Sequence, residues 1–148
     1  MRMEEEYQQA RKKAMALLQH MDRTEWELKD KLEKRGFSPD AVEDAMEYVH
    51  SFHYIDDLRY ATHFVEIYHE QRSIQRLRQD LYKRHVPEEY IEIALDAIDR
   101  DDSAALKEAI RKLAKDGIPE EYEQKQKMAA KLYRKGFRLH DIKAALDM

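Results

Sequence analysis

Apolar residues along this chain recur every three to four positions and nowhere alternate, which predicts helices throughout and no strands. Leu28 and Leu32 form one stripe; Val42, Ala45, Met46 and Val49 form the next. Helix starts are marked between them. Thr24 with Glu27 makes a capping box, in which each side chain serves the other's free backbone N–H. Ser38-Pro39 puts a capping hydroxyl before a proline at the first helical position, where the missing N–H is not needed. Pro87 and Pro119 mark comparable starts. Gly36 and Gly136 fall where the preceding helix must end, a place that favours a left-handed residue. His85 holds the corresponding place in the middle of the chain, so its turn either differs or is strained.

The pattern repeats. Shifted by 49, residues 27–49 match residues 76–98: Leu28 falls on Leu77, Leu32 on Leu81, Lys34 on Lys83, Arg35 on Arg84, Val42 on Ile91 and Ala45 on Ala94. A shift of 100 places Leu32 on Leu132, Gly36 on Gly136, Phe37 on Phe137, Val42 on Ile142 and Ala45 on Ala145. Each pair of stripes follows another amphipathic segment. The first carries Tyr7, Ala10, Ala14, Leu17, Leu18 and Met21 inward. The second carries Leu58, Ala61, Phe64, Val65 and Tyr68, and the third Leu106, Ala109, Ile110 and Leu113. The expected fold is all-α: nine helices of roughly 10–18 residues, grouped as three tandem three-helix repeats. One unit of this size buries little alone, so the repeats should stack into a single elongated, curved array. Its expected span is 1–148, with repeats at 4–53, 54–100 and 101–148.

Composition narrows the class. The 148 residues include no Cys, which excludes a disulfide framework and thiolate metal sites. No run approaches the ~18 apolar residues of a membrane span. Glu4, Glu5 and Glu6 stand where a signal peptide would need an apolar core, so a cytoplasmic location is expected.

A net charge of −4 conceals segregation. Residues 71–84 hold five cations and one acid, and residues 124–138 hold six cations and no acid. Residues 38–50 hold four acids and residues 87–99 five, with no Lys or Arg in either stretch. Such a chain presents basic strips to a polyanion while staying acidic elsewhere. Lys34-Arg35, Lys83-Arg84 and Arg134-Lys135 each close a middle helix, where cations complement the helix dipole. The dipole does not account for Arg72, Arg76 and Arg78, or for Lys125, Lys127 and Lys131, further upstream. The partner-facing candidates are therefore Arg72, Arg76, Arg78, Lys83, Arg84, Lys125, Lys131, Arg134 and Lys135. Contacts of this kind are phosphate-type and salt-dependent.

Other features favour structural readings. Asp56-Asp57 fits a helix N-terminus, which accounts for both acids; Asp57, Arg59 and Tyr60 are secondary candidates for a partner contact. His50 and His53 lie three apart near these acids, but no third ligand stands at a metal-binding spacing, and no metal or cofactor is expected. Tyr60, Phe64, Tyr68, Tyr82, Tyr90, Tyr122 and Tyr133 follow helical spacing, so core packing is their default; Tyr82 and Tyr133, beside the basic pairs, could also stack on bases. Trp26 should be partly exposed, because its repeat equivalents are Gln75 and Gln126. No phosphate loop, nucleophile elbow or catalytic triad signature is present, so no enzymatic activity is expected.

Together these blocks resemble the RecX family. Its T/S-x-x-E-L-x-x-K-L-x-x-R-G-F block is matched by Thr24 through Phe37, its L-D-D-x-x-(F/Y)-A linker by Ile55 through Ala61, and its closing (R/K)-G-F-x-x-x-x-I-x-x-A-L block by Lys135 through Leu146. Gln71 and His85 stand where the family often has glycine. The resemblance implies a regulator of recombination, DNA repair and the SOS response. Such a protein binds the RecA filament on single-stranded DNA and inhibits its extension, ATP hydrolysis, strand exchange and coprotease action. It further implies a monomer that meets single-stranded DNA weakly or only through RecA, with Leu28, Leu32, Gly36, Phe37, Gly136 and Phe137 architectural. Two other readings fit the residues: a stand-alone nucleic-acid-binding module, and a helical protein-interaction repeat unrelated to RecA.

Overall fold

The computed structural model of the protein describes residues 3–148, so the first two residues of the expected array lie outside it. Among the described residues there are nine α-helices and no strand. They are α1 (Met3–His20), α2 (Glu25–Lys34), α3 (Pro39–Ser51), α4 (Asp57–Tyr68), α5 (Ile74–Lys83), α6 (Glu88–Asp96), α7 (Ser103–Leu113), α8 (Tyr122–Arg134) and α9 (Leu139–Leu146). They form three consecutive triplets, as the repeat predicts. Lengths run from 8 to 18 residues. The shortest fall below expectation because α9 stops at left-handed Asp147 and α6 gives way to a turn holding left-handed Asp99 and Arg100.

Helix ends follow their side chains. Thr24 Oγ1 accepts from the Glu27 N–H and the Glu27 carboxylate accepts from the Thr24 N–H, both at 3.2 Å. Ser38 caps α3 with Pro39 at its first position. Glu6 of α1 also accepts from the Ser38 N–H at 2.6 Å, and this bond holds its carboxyl below the usual range. Pro87 directly precedes α6. Pro119 does not open α8, which starts only at Tyr122, after a loop turning at Gly117 (φ +94°).

The middle helices α2, α5 and α8 all end on a left-handed residue: Gly36 (φ +90°), His85 (φ +60°) and Gly136 (φ +97°). The second turn therefore does not differ. His85 takes up the glycine conformation, at a cost of about 1–2 kcal/mol for a residue with a Cβ. The helix-ending bonds form around it as they do around Gly136, with Val86 N–H donating to Leu81 O at 3.2 Å and Phe137 N–H to Leu132 O at 3.3 Å.

Two compact units divide the chain: the described residues up to Ala61 with Leu81–Ile91, and Thr62–Asp80 with Glu92–Met148. Helices α4, α5 and α6 thus each contribute to both. In the first unit, α1 packs most extensively on α3. Ala10 and Ala14 of α1 and Ala41 and Ala45 of α3 are fully buried, and such small side chains let the two helix axes approach closely. Leu28, Leu32, Val42, Met46, Val49 and Ile55 complete this core. Met21, expected inward, is 52% exposed, because α1 ends one residue before it.

The second unit holds a core of Ala105, Leu106, Ala129, Leu132, Phe137, Ile142 and Leu146. Each leucine or isoleucine so buried contributes about 1.5–3 kcal/mol. Leu77, Leu81, Ile91, Ala94 and Leu95 of the middle triplet are equally buried, as their repeat positions require.

Candidate functional site

The middle helices carry the candidate cations, and their ends are fastened by a joint that occurs twice. In the first joint, the Thr24 hydroxyl at the start of α2 donates to the Arg84 carbonyl at the end of α5, at 2.8 Å. Asp57 accepts from the Glu25 N–H at 2.8 Å, also at the start of α2. In the second, the Ser73 hydroxyl at the start of α5 donates to the Lys135 carbonyl at the end of α8, at 2.8 Å. Asp102 accepts from the Ile74 N–H at 2.6 Å. The start of one middle helix thus meets the end of the next, and oppositely charged dipole ends face each other.

Burial pushes both aspartate carboxyls up from their usual range, while the N–H bonds they accept pull the other way. Asp56 and Asp101 do what the sequence suggests for a helix start: they accept from Arg59 N–H and Ser103 N–H at 3.0 and 2.9 Å. Asp57 does more, since it reaches a helix 32 residues away. The Asp-Asp pair that recurs as Asp101-Asp102 is the signal that could have found this.

The two joints differ in one contact. Trp26 stacks on His85 with ring centroids 4.0 Å apart and planes 16° from parallel. Trp26 is 45% exposed, as expected, and the stack offsets part of the strain at His85. In the second joint Gln75 and Gly136 hold these places. A Cβ on Gly136 would lie 2.7 Å from Ser73 Oγ and 3.2 Å from Gln75 Cβ.

The candidate cations separate into two groups. Arg72 and Arg76 both bind Asp80, at 2.8 and 3.0 Å, and Arg72 lies 3.9 Å from the centre of the Tyr68 ring. Asp80 is buried, and as the lone acid of the basic stretch 71–84 it was the visible anomaly there. Arg78 binds Glu92 at 2.9 Å, and Arg100 shares that carboxylate. The Arg78 and Arg100 guanidinium groups hold the Glu92 carboxyl below its usual range.

Lys83, Lys131, Arg134 and Lys135 are instead exposed, and none of them joins an ion pair among the described residues. Lys125 Nζ donates to the Asp147 carbonyl at 3.3 Å. Arg84 is half-buried beside Tyr60, whose hydroxyl pKa is raised chiefly by burial. Arg59 Nη1 donates to the His53 carbonyl at 3.4 Å, so it braces the turn after α3.

Core packing fails for three tyrosines. Tyr82, Tyr122 and Tyr133 are 74%, 63% and 62% exposed. Their own helices bury Leu77 and Leu81, or Ala129 and Leu132, and Phe64 is buried as expected. The ends of α5 and α8 consequently read exposed Tyr82-Lys83 followed by half-buried Arg84, and exposed Tyr133-Arg134-Lys135. His50 and His53 do not converge: His50 Nε2 lies 2.9 Å from Glu25, and His53 takes a left-handed turn conformation. Among the described residues, no group of three or more His, Asp or Glu could hold a metal. No helix there is long and apolar enough to cross a membrane.

Comparisons with known proteins agree with this architecture. Three RecX family models match: the first three-helix domain over residues 10–48, the second over 56–95 and the third over 99–146. A regulatory protein RecX from Caldanaerobacter subterraneus subsp. tengcongensis is 32% identical over 146 residues, covering 97% of this chain and 72% of the relative. Another from Vibrio cholerae serotype O1 is 34% identical over 138 residues, covering 93% and 91%. The crystal structure of RecX from Lactobacillus salivarius superposes with a TM-score of 0.81 at 21% identity, covering 98% of this chain and 99% of that one.

Proposed function

The chain belongs to the RecX family, and on that premise we propose that it binds the RecA–single-stranded DNA filament in the cytoplasm. There it limits filament extension and so lowers ATP hydrolysis, strand exchange and coprotease activity. The observation that carries this reading is the exposed pair Tyr82-Lys83 and the exposed triplet Tyr133-Arg134-Lys135, offered at the same place in successive repeats. Exposed cations such as Lys83, Arg134 and Lys135 are available to phosphates or carboxylates, and such contacts are sequence-independent.

Lys83, Lys131, Arg134 and Lys135 are the principal contacts, with Arg84 and Lys125 adjoining. Arg76 and Arg78, whose side chains remain 57% and 40% exposed, add charge while their acids hold them in place. Arg72, the most enclosed of the three, orients α5 through Asp80. Asp57, Arg59 and Tyr60 act through the first joint. Weak contacts repeated along one chain add through high effective concentration, so regulation needs no single tight site and no catalytic step.

The decisive experiment measures single-stranded-DNA-dependent ATP hydrolysis by RecA with the protein at substoichiometric amounts. A progressive fall in rate is expected, and it should be lost in the variant Lys83→Glu/Arg134→Glu/Lys135→Glu with helical content unchanged. No effect at excess protein in low salt would overturn the reading. Tight, salt-sensitive binding to single-stranded DNA without RecA would replace it with a stand-alone nucleic-acid module.

A further inference from the structure

Residues of the third triplet expose an apolar trough that its fold leaves uncovered. Tyr122, Gln126, Ala130 and Tyr133 recur along one face of α8, since eleven residues make about three helical turns. Leu139, Lys143 and Met148 form the opposite wall, enclosing a groove of about 380 Å³. Tyr122 and Tyr133 are more than half exposed, and Leu139 is 46% exposed. An exposed apolar surface of this kind, edged by Gln126 and Lys143, is the form of a docking site.

Charge selects the occupant. Lys143 is the lone charged residue lining the groove, whereas Lys127 and Lys131 of α8 line a separate, smaller pocket with Leu113 of α7. The larger groove beside α7 differs. It has Arg100, Lys107 and Arg138 against Asp101, Asp102 and Asp141, and so favours neither sign. The chemistry of the walls narrows the class further. Alanine, leucine and methionine suit aliphatic side chains better than the flat faces of bases, which need aromatic platforms on successive positions.

We propose that the α8/α9 groove binds an acidic amphipathic segment of a partner protein. Its apolar side chains seat between Tyr122 and Tyr133, and a carboxylate meets Lys143. This rests on the reading that α8 faces the regulated partner, and it assigns protein rather than phosphate to that part of the surface.

The test uses the full chain and a fluorescein-labelled amphipathic peptide of Leu and Glu, read by anisotropy. A Leu/Lys peptide and a labelled oligo-dT serve as comparisons. Saturable binding of the Leu/Glu peptide is expected, weakened roughly tenfold or more by Tyr122→Ser/Tyr133→Ser, with the Leu/Lys peptide inert. Both tyrosines are exposed, so the variant should keep its fold, and circular dichroism checks that it does.

The proposal is overturned if the Leu/Glu peptide fails to bind or binds the variant equally well. It is also overturned if the substitutions weaken only oligo-dT binding, which would make the groove a nucleic-acid site. RecA ATP hydrolysis, measured with the parent protein and with the same variant, separates the two readings. Inhibition by a parent protein that does not bind the Leu/Glu peptide removes the groove alone. Tyrosine-dependent peptide binding without any effect on RecA removes the regulatory reading alone.

Discussion

Replacing Gly136 and Gly36 separately by alanine tests whether the joint between middle helices requires close approach. Both glycines are left-handed, at φ +97° and φ +90°, so alanine pays a similar backbone cost of about 1–2 kcal/mol at either place. That cost is partly offset, by about 0.4–1 kcal/mol, because alanine has less freedom to lose from the unfolded chain. At Gly36 the account ends there, since no atom lies within 4 Å of the added Cβ. A net loss of about 0.5–1 kcal/mol is expected for Gly36→Ala.

At Gly136 the Cβ arrives 2.7 Å from Ser73 Oγ. Ser73 cannot turn away freely: it is 1% exposed, caps α5 by accepting from the Arg76 N–H at 3.1 Å, and donates to Lys135 O at 2.8 Å. Gln75 Cβ, at 3.2 Å, is fixed by the backbone of α5. Yielding therefore sacrifices a cap, about 1 kcal/mol, and a buried hydrogen bond, about 1 kcal/mol. Gly136→Ala should cost about 2–4 kcal/mol in all. Urea unfolding followed by circular dichroism measures both variants, comparing midpoints at unchanged slope. Equal destabilisation would refute the argument, because it would leave only the backbone conformation at work.

Three further outcomes follow from the same geometry. Asp80→Ala leaves the Arg72 and Arg76 guanidinium groups without their shared acid and should cost about 2 kcal/mol, less than for a fully buried pair because both arginines reach solvent; an unchanged melting temperature would contradict it. His85→Ala removes the ring stacked on Trp26 but keeps the left-handed residue, so stability should fall by about 0.5–1.5 kcal/mol and the emission of this lone tryptophan should change. His85→Gly, which relieves the backbone, should recover most of that stability, and a glycine variant no more stable than the alanine one would count against the strain. Asp57→Asn retains an acceptor for the Glu25 N–H and removes a carboxylate whose pKa burial has raised. A raised folded-state pKa contributes stability that is full below the ordinary aspartate range and is lost as pH rises through the raised value. The asparagine variant should therefore gain on the parent between acidic and neutral pH, with the difference closing in strong acid; a pH-independent difference would be evidence against a perturbed Asp57.

Helix count, triplet grouping and most of the core were legible because they depend on local periodicity and on a repeat register that any single copy exposes. Leu28, Leu32, Val42, Ala45 and their shifted partners could be placed inward without knowing what covered them. The exposed tyrosines were misplaced for a related reason. Helical spacing shows which residues share a face, and a basic helix with aromatic residues on two sides does not show which side is buried. Pro119 misled because a proline is compatible with the loop before a helix as well as with its first turn.

The sequence alone determined the fold class, the helix caps at Thr24 and Ser38, and the left-handed ends at Gly36 and Gly136, since each depends on residues within one or two turns. Only the tertiary structure decided which cations remain available. Arg72 and Arg76 lie in the same basic stretch as Lys83, yet they are committed to Asp80 while Lys83 is exposed. The tertiary structure also decided that Asp57 and Asp102 serve a helix other than their own. Whether a charge is spent internally or offered to a partner depends on distances across separate helices. Local patterns carry no information about those distances, because they are set by how the helices pack.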